Sequence, residues 1–316
     1  MLGTYLSTSR YDELLQHGRT VSTPLLHFDE EVVTQSYNRA PFLIGHDLTA
    51  HPMFSLTSLF ALCRRMPVES ILYRMGAIPG NADLDTSYDR YRAGLTLDSV
   101  LDGFEEHQAY ICINNPERDP AYAPLIEGLM GEVASRTHAL DPGITWFSTY
   151  VFISTRDAVT PYHMDREMNY LLQLQGKKTV YLWDPMDETV MSSREKDHLL
   201  AHVGGRPPYS EAIEPLATEW NLTPGLGVHH PFIAPHRVHT GSELSVSLAL
   251  TFRTRHSDMA TDAHRLNARL RGLGLHPRAV GRSEVVDRAK CHVARLGQRV
   301  HRGFDALAHR GIDQTA

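Results

Sequence analysis

Apolar residues along this chain keep two spacings. In the middle they alternate with polar residues, as on a half-buried strand; toward both ends they recur every three or four positions, as on a helix. Strand spacing predicts His107 to Asn114, Trp146 to Ile153, a run before Gly176 that returns to Trp183, and a set from Asn221 to Phe252. Arg39 to Ile44 reads as an edge strand and Val68 to Met75 as a further strand. Helical spacing predicts a short helix near Tyr11 to Gln16 within an otherwise polar first 40 residues. It also predicts Ser55 to Met66, with Leu56, Leu59, Phe60 and Cys63 on one side, Leu97 to Glu106 capped by Thr96, and Tyr122 to His138. Gly76 to Gly94 is rich in turn formers and reads as a loop. Ser192 to Val203 and Ser210 to Leu216 read as irregular or helical surface insertions. From Ser257 the spacing is helical over His264 to Leu273, Glu284 to Leu296 and Val300 to His309, interrupted at Gly274, Pro277 and Gly281.

This order predicts a mainly β fold with flanking helices. The expected architecture is a jelly roll, the double-stranded β-helix of cupin type, over residues 1–256, followed by a C-terminal helical region over 257–316. A chain of 316 residues with 42% hydrophobic and 22% charged content can bury a large core. A net charge of −6 argues against general affinity for nucleic acid. The charge is uneven: from Arg253 onward 13 basic residues stand against 6 acidic ones, a pattern that suits a solvated helical surface. Cys63, Cys112 and Cys291 are three, widely spaced, and form no CxxC pair, which is a reduced intracellular pattern. Neither a signal-like start nor a membrane-length apolar run is seen, so a cytoplasmic protein with no membrane partner is expected.

The chemistry centres on Val159-Thr160-Pro161-Tyr162-His163-Met164-Asp165. On a strand, residues i and i+2 share a face, so His163 and Asp165 aim at one point, as two ligands of one metal must. A third ligand should come from a distant strand. Pro235-His236-Arg237-Val238-His239 is the best-shaped candidate. His229 and His230 are adjacent and face opposite sides; His239 is odd relative to His236 and should face away from it. The bend of Pro231 to Pro235 can deliver His236 inward. Two histidines and one carboxylate on a metal face leave adjacent positions open, the arrangement of non-haem iron(II) oxygenases. His-x-Asp alone is common and by itself marks no more than a strand end. His198 and His202, spaced i, i+4 on an expected helix, have no third ligand beside them and read as surface residues.

Lys178 lies on the strand returning from Gly176, where its side chain can reach the interior; Lys177 should point out. A buried lysine needs an acidic partner, and a dicarboxylate co-substrate would supply one. Thr160 could add a hydroxyl to the same carboxylate. No Walker loop, dinucleotide glycine motif or nucleophile elbow is present.

Over about residues 39 to 255 the sequence resembles the JmjC-domain oxygenases of cupin fold that use iron(II) and 2-oxoglutarate. It looks most like the branch containing the asparaginyl hydroxylase that inhibits hypoxia-inducible factor. The resemblance rests on Val159-Thr160-Pro161-x-His163-x-Asp165-x-x-x-Asn169, on Gln173-x-x-Gly176-x-Lys178, and on Pro235-His236-x-Val238 with Ser245-Val246-Ser247. It implies iron on His163, Asp165 and His236, which are then also the catalytic residues. It implies that Lys178 and Thr160 hold the distal carboxylate of 2-oxoglutarate with help from Tyr110, and that Asn169 is a pocket residue beside the co-substrate. Two positions depart from the pattern: Thr251 stands where that hydroxylase has a second asparagine, and Gly227 to Pro231 lacks the usual Gly-Asp lead-in.

The implied activity is an iron(II)- and 2-oxoglutarate-dependent dioxygenase that uses O2 to hydroxylate an aliphatic carbon of a protein side chain, a peptide or a small metabolite. Asp165 fills the ligand place that a halogenase leaves open for halide. The alternatives are a non-catalytic metal-binding cupin scaffold and a metal-dependent cupin enzyme that does not use 2-oxoglutarate. The resemblance also implies terminal helices that often dimerise; by spacing, Leu266, Leu270 and Leu273 lie on one stripe that either joins a homodimer or packs on the chain's own sheet.

Overall fold

The computed structural model describes residues 3–297. Its strands are β1 (Thr4–Tyr5), β2 (Leu26–His27), β3 (Leu43–His46), β4 (Ile71–Met75), β5 (Ala109–Asn114), β6 (Ile144–Ser154), β7 (Val159–Met164), β8 (Met168–Gln175), β9 (Lys178–Leu182), β10 (Thr218–Leu222), β11 (Leu226–His230), β12 (Pro235–Thr240) and β13 (Ser245–Thr254). They form two sheets. The larger runs β2-β3-β11-β8-β13-β6-β5-β4, with β1 added beside β6; the smaller runs β10-β9-β12-β7. Strands β6 to β13 pass between the two sheets, and every strand pair is antiparallel. That is the double-stranded β-helix with flanking helices that the alternating pattern predicts.

Residue parity decides what each sheet face holds. Leu172 and Leu174 on β8, Leu248 and Leu250 on β13, and Ile111 and Ile113 on β5 point out of the larger sheet. They pack against helices α1 (Thr8–Thr20), α2 (Glu30–Ser36), α3 (Leu56–Arg65) and α6 (Ala123–Thr137) in one core. Each such side chain contributes about 1.5–3 kcal/mol by leaving water. The opposite parity, Leu171, Val180, Leu182, Leu222, Val228, Val238 and Ala249, fills the space between the sheets. The turn from β8 to β9 is held by Gly176, whose φ of +70° suits glycine and whose missing Cβ would collide with the carbonyl of Leu244.

Several elements differ from expectation. The strand near residues 39–44 is β3, at Leu43–His46, and it is not an edge: β2 covers it, pairing Leu26 with His46. A two-residue strand has no alternation to read, and β2 is held in part by the buried Glu132, which accepts from the backbone N–H groups of Leu25 and Leu26. Helix α1 is longer than its pattern, and α2 was hidden in polar sequence. The expected loop at 76–94 contains α4 (Leu84–Arg90), begun by Asp83, whose side chain accepts from the N–H of Asp85. Asp is both turn former and N-cap, so composition alone favoured the loop. Helix α5 (Leu97–Asp102) is opened by the expected Thr96 cap, which Ser99 completes as a capping box, and stops at Gly103 rather than reaching Glu106.

The chain divides into two compact units, one of residues 1–190 with 208–255, the other of 191–207 with the chain from His256 on. The second unit contains α7 (Ser193–Ala201), α8 (Arg255–Gly272, from His256) and helical residues 284–297. Its centre is Asp197, which accepts from His264 Nδ1 at 2.7 Å and Arg271 Nε at 2.8 Å. Helix α8 starts nine residues before the expected His264, because Ser257, Thr261 and His264 are buried polar residues that break an apolar-only count. His202 is the left-handed C-cap of α7, not a helical residue, so the i, i+4 histidine pair is not on one helix face. The expected helix Val300 to His309 lies outside the described residues. No described helix is long and apolar enough to cross a membrane.

Candidate metal centre and its chamber

The smaller sheet brings His163 and His236 directly opposite one another, on β7 and β12. Their ring centroids are 4.0 Å apart. Asp165, just past the end of β7, lies 4.0 Å from His163 Nε2 and 3.9 Å from His236 Nε2. One ligand atom from each of the three residues lies within 4.8 Å of the others, and among the described residues this is the one such group of three or more. Each imidazole is preset. His163 Nδ1 is 2.7 Å from the carbonyl of Pro161, and His236 Nδ1 is 3.0 Å from that of Ala234. A carbonyl only accepts, so both Nδ1 atoms carry the proton and both Nε2 lone pairs face the cluster. The donor set therefore fits one divalent first-row metal, with iron(II) the usual occupant of two histidines and a carboxylate.

The competing histidines go elsewhere. His229 points out of the larger sheet, stacked on Tyr37 and tilted against Phe42 and Tyr170, with Nδ1 on the carbonyl of Asn169. Burial holds its pKa down at about 3, so it is neutral. His239 packs edge-on against Tyr181. His230 has the parity of Val228 and points between the sheets, its ring 4.6 Å from that of His236. It is buried, and neither of its ring nitrogens has a partner. Each such group costs about 1–3 kcal/mol. Burial, with His236 next, pushes its pKa well below the usual value.

Lys178 has the same parity as Val180 and Leu182 and also points between the sheets. Its Nζ donates to Ser247 Oγ at 2.6 Å and lies over the Phe152 ring at 5.8 Å. Among the described residues no carboxylate pairs with it, and burial drives its pKa from the usual 10.5 to about 7. Tyr110 and Thr160 share a hydrogen bond of 3.0 Å. Burial lifts the Tyr110 phenol to about 12, so it stays a donor.

Thr160 reaches the interior by an irregularity. His163 stands opposite His236 and Thr160 opposite Val238, so three residues of β7 span what two of β12 span. This bulge turns both Thr160 and His163 inward, although their odd separation would put them on opposite faces of a regular strand.

Strand register orders the inner face of the larger sheet into rows. The row at the metal is His230, Asn169, Thr251 and Ser148, paired in that order across β11, β8, β13 and β6. All four are buried. The next row is Val228, Leu171, Ala249 and Tyr150; the one below it is Gln173, Ser247 and Phe152, where Lys178 binds. Asn169 Oδ1 accepts from Thr251 Oγ1 at 3.5 Å, the limit of a hydrogen bond. Ser148 donates to Asn115 at 2.7 Å.

Four features of this chamber were not read from the sequence: Ser148, Ser247 as the partner of Lys178, His230 as an inward residue, and Arg74. Arg74 is fully buried on β4. Its guanidinium donates to the carbonyls of Met75, Gly76 and Val159 and lies 4.4 Å over the Tyr110 ring. Among the described residues it has no acidic partner. Serines at alternate β13 positions were the available signal; an isolated arginine in a strand carried none.

The sequence matches no family profile and no curated protein. Its backbone is similar to solved structures of the Escherichia coli ribosomal oxygenase YcfD. One aligns with a TM-score of 0.45 at 13% identity, covering 86% of this chain and 67% of that one. Another aligns at 0.46 and 14%, covering 86% and 68%. The form of YcfD in complex with cobalt and succinic acid aligns at 0.43 and 13%, covering 85% and 65%.

Proposed function

We propose that this chain is an iron(II)- and 2-oxoglutarate-dependent oxygenase of the JmjC type that hydroxylates an aliphatic carbon. The observation that carries the reading is Lys178: a buried ammonium with no carboxylate of the described chain beside it, in the same interior that holds His163, Asp165 and His236. A dry cation of this kind is stable only against an anion, and a dicarboxylate long enough to reach the metal supplies one.

In this reading His163, Asp165 and His236 hold the iron. Lys178, Thr160 and Tyr110 hold the distal carboxylate, and Asn169 and Thr251 flank the end of the co-substrate nearer the metal. Valine, leucine and alanine of the middle row face its methylenes and exclude water. Bound there, iron(II) with 2-oxoglutarate and O2 supplies the oxidising power that couples loss of carbon dioxide to hydroxylation. The Asp165 side chain is 34% exposed against 7% for both histidines, so the acceptor reaches the site from the Asp165 side.

A protein side chain or peptide, reaching the metal from that exposed side, is the acceptor we favour over a small metabolite. Closeness to the asparaginyl hydroxylase branch rests on the motif around His163 and Asn169. The buried, unpaired cysteines fit the cytoplasm as the compartment. A second copy of the chain is the partner we propose for the terminal helices, on the exposed Leu273 beside the half-buried Leu266 and Leu270; sedimentation as a monomer at all concentrations rejects it. The test of the main reading is turnover. Incubation with iron(II), 2-oxoglutarate, O2 and peptide pools should yield succinate and a product heavier by one oxygen. Failure to bind 2-oxoglutarate at millimolar concentration leaves the metal-binding scaffold in its place.

A further inference from the structure

His230 is the one side chain in the polar row at the metal whose ring nitrogens are both unpartnered. It is not a member of the converging ligand group, so it is not placed as a fourth metal ligand. Nor does it hold the fold together by hydrogen bonds, since its ring makes none within the described residues. A neutral imidazole has one N–H to give and one lone pair to fill. Buried polar groups without partners are rare in native proteins, and here both belong to one ring that leans on the ligand His236.

The side from which its partner comes is set by exposure. Asp165 faces the open side of the cluster, whereas His230, Asn169 and Thr251 are 3%, 6% and 3% exposed on the deep side. Ser247 lies two rows further along the same inner face, and Lys178 reaches it from β9 of the smaller sheet. A dicarboxylate anchored on Lys178 therefore presents its other end to the row of His230 before any acceptor arrives.

We propose that His230 donates a hydrogen bond to the metal-proximal carboxylate of the bound 2-oxo acid, making it a co-substrate-binding residue. The other ring nitrogen accepts from a water at the same end. The inference rests on the 2-oxoglutarate reading and adds a contact to it.

The experiment uses the full chain without oxygen, with His230→Phe and His230→Gln beside the wild type. Wild-type protein must first bind 2-oxoglutarate when loaded with iron(II); if it does not, the oxygenase reading fails, and this contact with it. Given wild-type binding, His230→Phe should keep its iron and bind 2-oxoglutarate about ten- to a hundredfold more weakly, the range for a hydrogen bond to a charged group. The charge-transfer absorption of the iron(II)–2-oxoglutarate complex should shift, because the bonded carboxylate is perturbed. His230→Gln, which restores an N–H donor, should recover most of the affinity. Without metal or co-substrate, His230→Phe should be as thermally stable as wild type or more so, since it removes two unsatisfied groups. Unchanged affinity and absorption in His230→Phe overturn the proposal, as does loss of iron. Should both variants misfold, the wild type decides: ring-nitrogen NMR signals of the zinc-loaded protein, assigned to His230 and unmoved by 2-oxoglutarate, reject the contact.

Discussion

Lys178 Nζ sits 2.6 Å from Ser247 Oγ, and that neutral hydroxyl is its hydrogen-bond acceptor inside the barrel. A hydroxyl does not balance an ammonium, and the mismatch is what points to an anionic ligand.

Replacing Lys178 with methionine should therefore separate two functions. Iron binding should persist, because Lys178 is not among the converging ligands. Affinity for 2-oxoglutarate should fall by a hundredfold or more, from the cost of about 3–5 kcal/mol for an unpaired buried charge. Lys177→Met should change little, as Lys177 is largely outside the barrel. Oxygen-free calorimetry of the iron-loaded proteins measures all three.

The lowered Lys178 pKa gives a pH signature. Its folded value, about 7, lies below the usual 10.5, so between these the unfolded chain binds more protons. The penalty of burying the ammonium is full below about pH 7 and is relieved as pH rises toward 10.5. Ligand-free wild type should thus gain stability relative to Lys178→Met from about pH 7 to about pH 9. Affinity for 2-oxoglutarate should fall over the same interval, with proton uptake on binding. Paired denaturant titrations and calorimetry in buffers of different ionisation heat check the two halves. Parallel stability curves for the two proteins would count against a buried ammonium.

Metal content tests the third ligand. His163→Ala, Asp165→Ala and His236→Ala should each remove most of the bound iron, and His239→Ala should not, because its ring lies against Tyr181. Elemental analysis after dialysis against iron(II) reads this directly. Full occupancy in His236→Ala with loss in His239→Ala would reassign the site.

Arg74 should matter without touching metal. Arg74→Met removes the guanidinium donor from three carbonyls, of which Gly76 keeps the N–H of Val159, and takes the cation from the Tyr110 ring, at about 2–5 kcal/mol of stability. Val159 stays held by its N–H on the Gly76 carbonyl and by its pairing with His239, so the loss reaches the co-substrate through the Tyr110 ring, whose hydroxyl bonds Thr160, and 2-oxoglutarate should bind about tenfold more weakly. Arg74→Lys should recover only part of either effect, because an ammonium does not reproduce the planar fork. Equal melting temperatures for wild type and Arg74→Met would reject this role.

The sequence by itself determined the alternating strands from Trp146 to Phe252, the turn at Gly176 and the capped helices after Ser55 and Thr96. These are local: parity, a positive φ and a side-chain cap are each written in a few adjacent residues. It also determined that His163 and Asp165 lie close together, since a spacing of two needs no knowledge of the fold. Tertiary structure decided the rest. The opposition of His163 and His236 is a register between strands 73 residues apart. The inward turn of Thr160 depends on a bulge that strict alternation forbids. The row of His230, Asn169, Thr251 and Ser148 exists only because four separated strands pair in one register. Arg74 and Ser247 entered the site for the same reason: a strand's sequence states which side chains share a face, but the strands that pair beside it decide what those side chains meet.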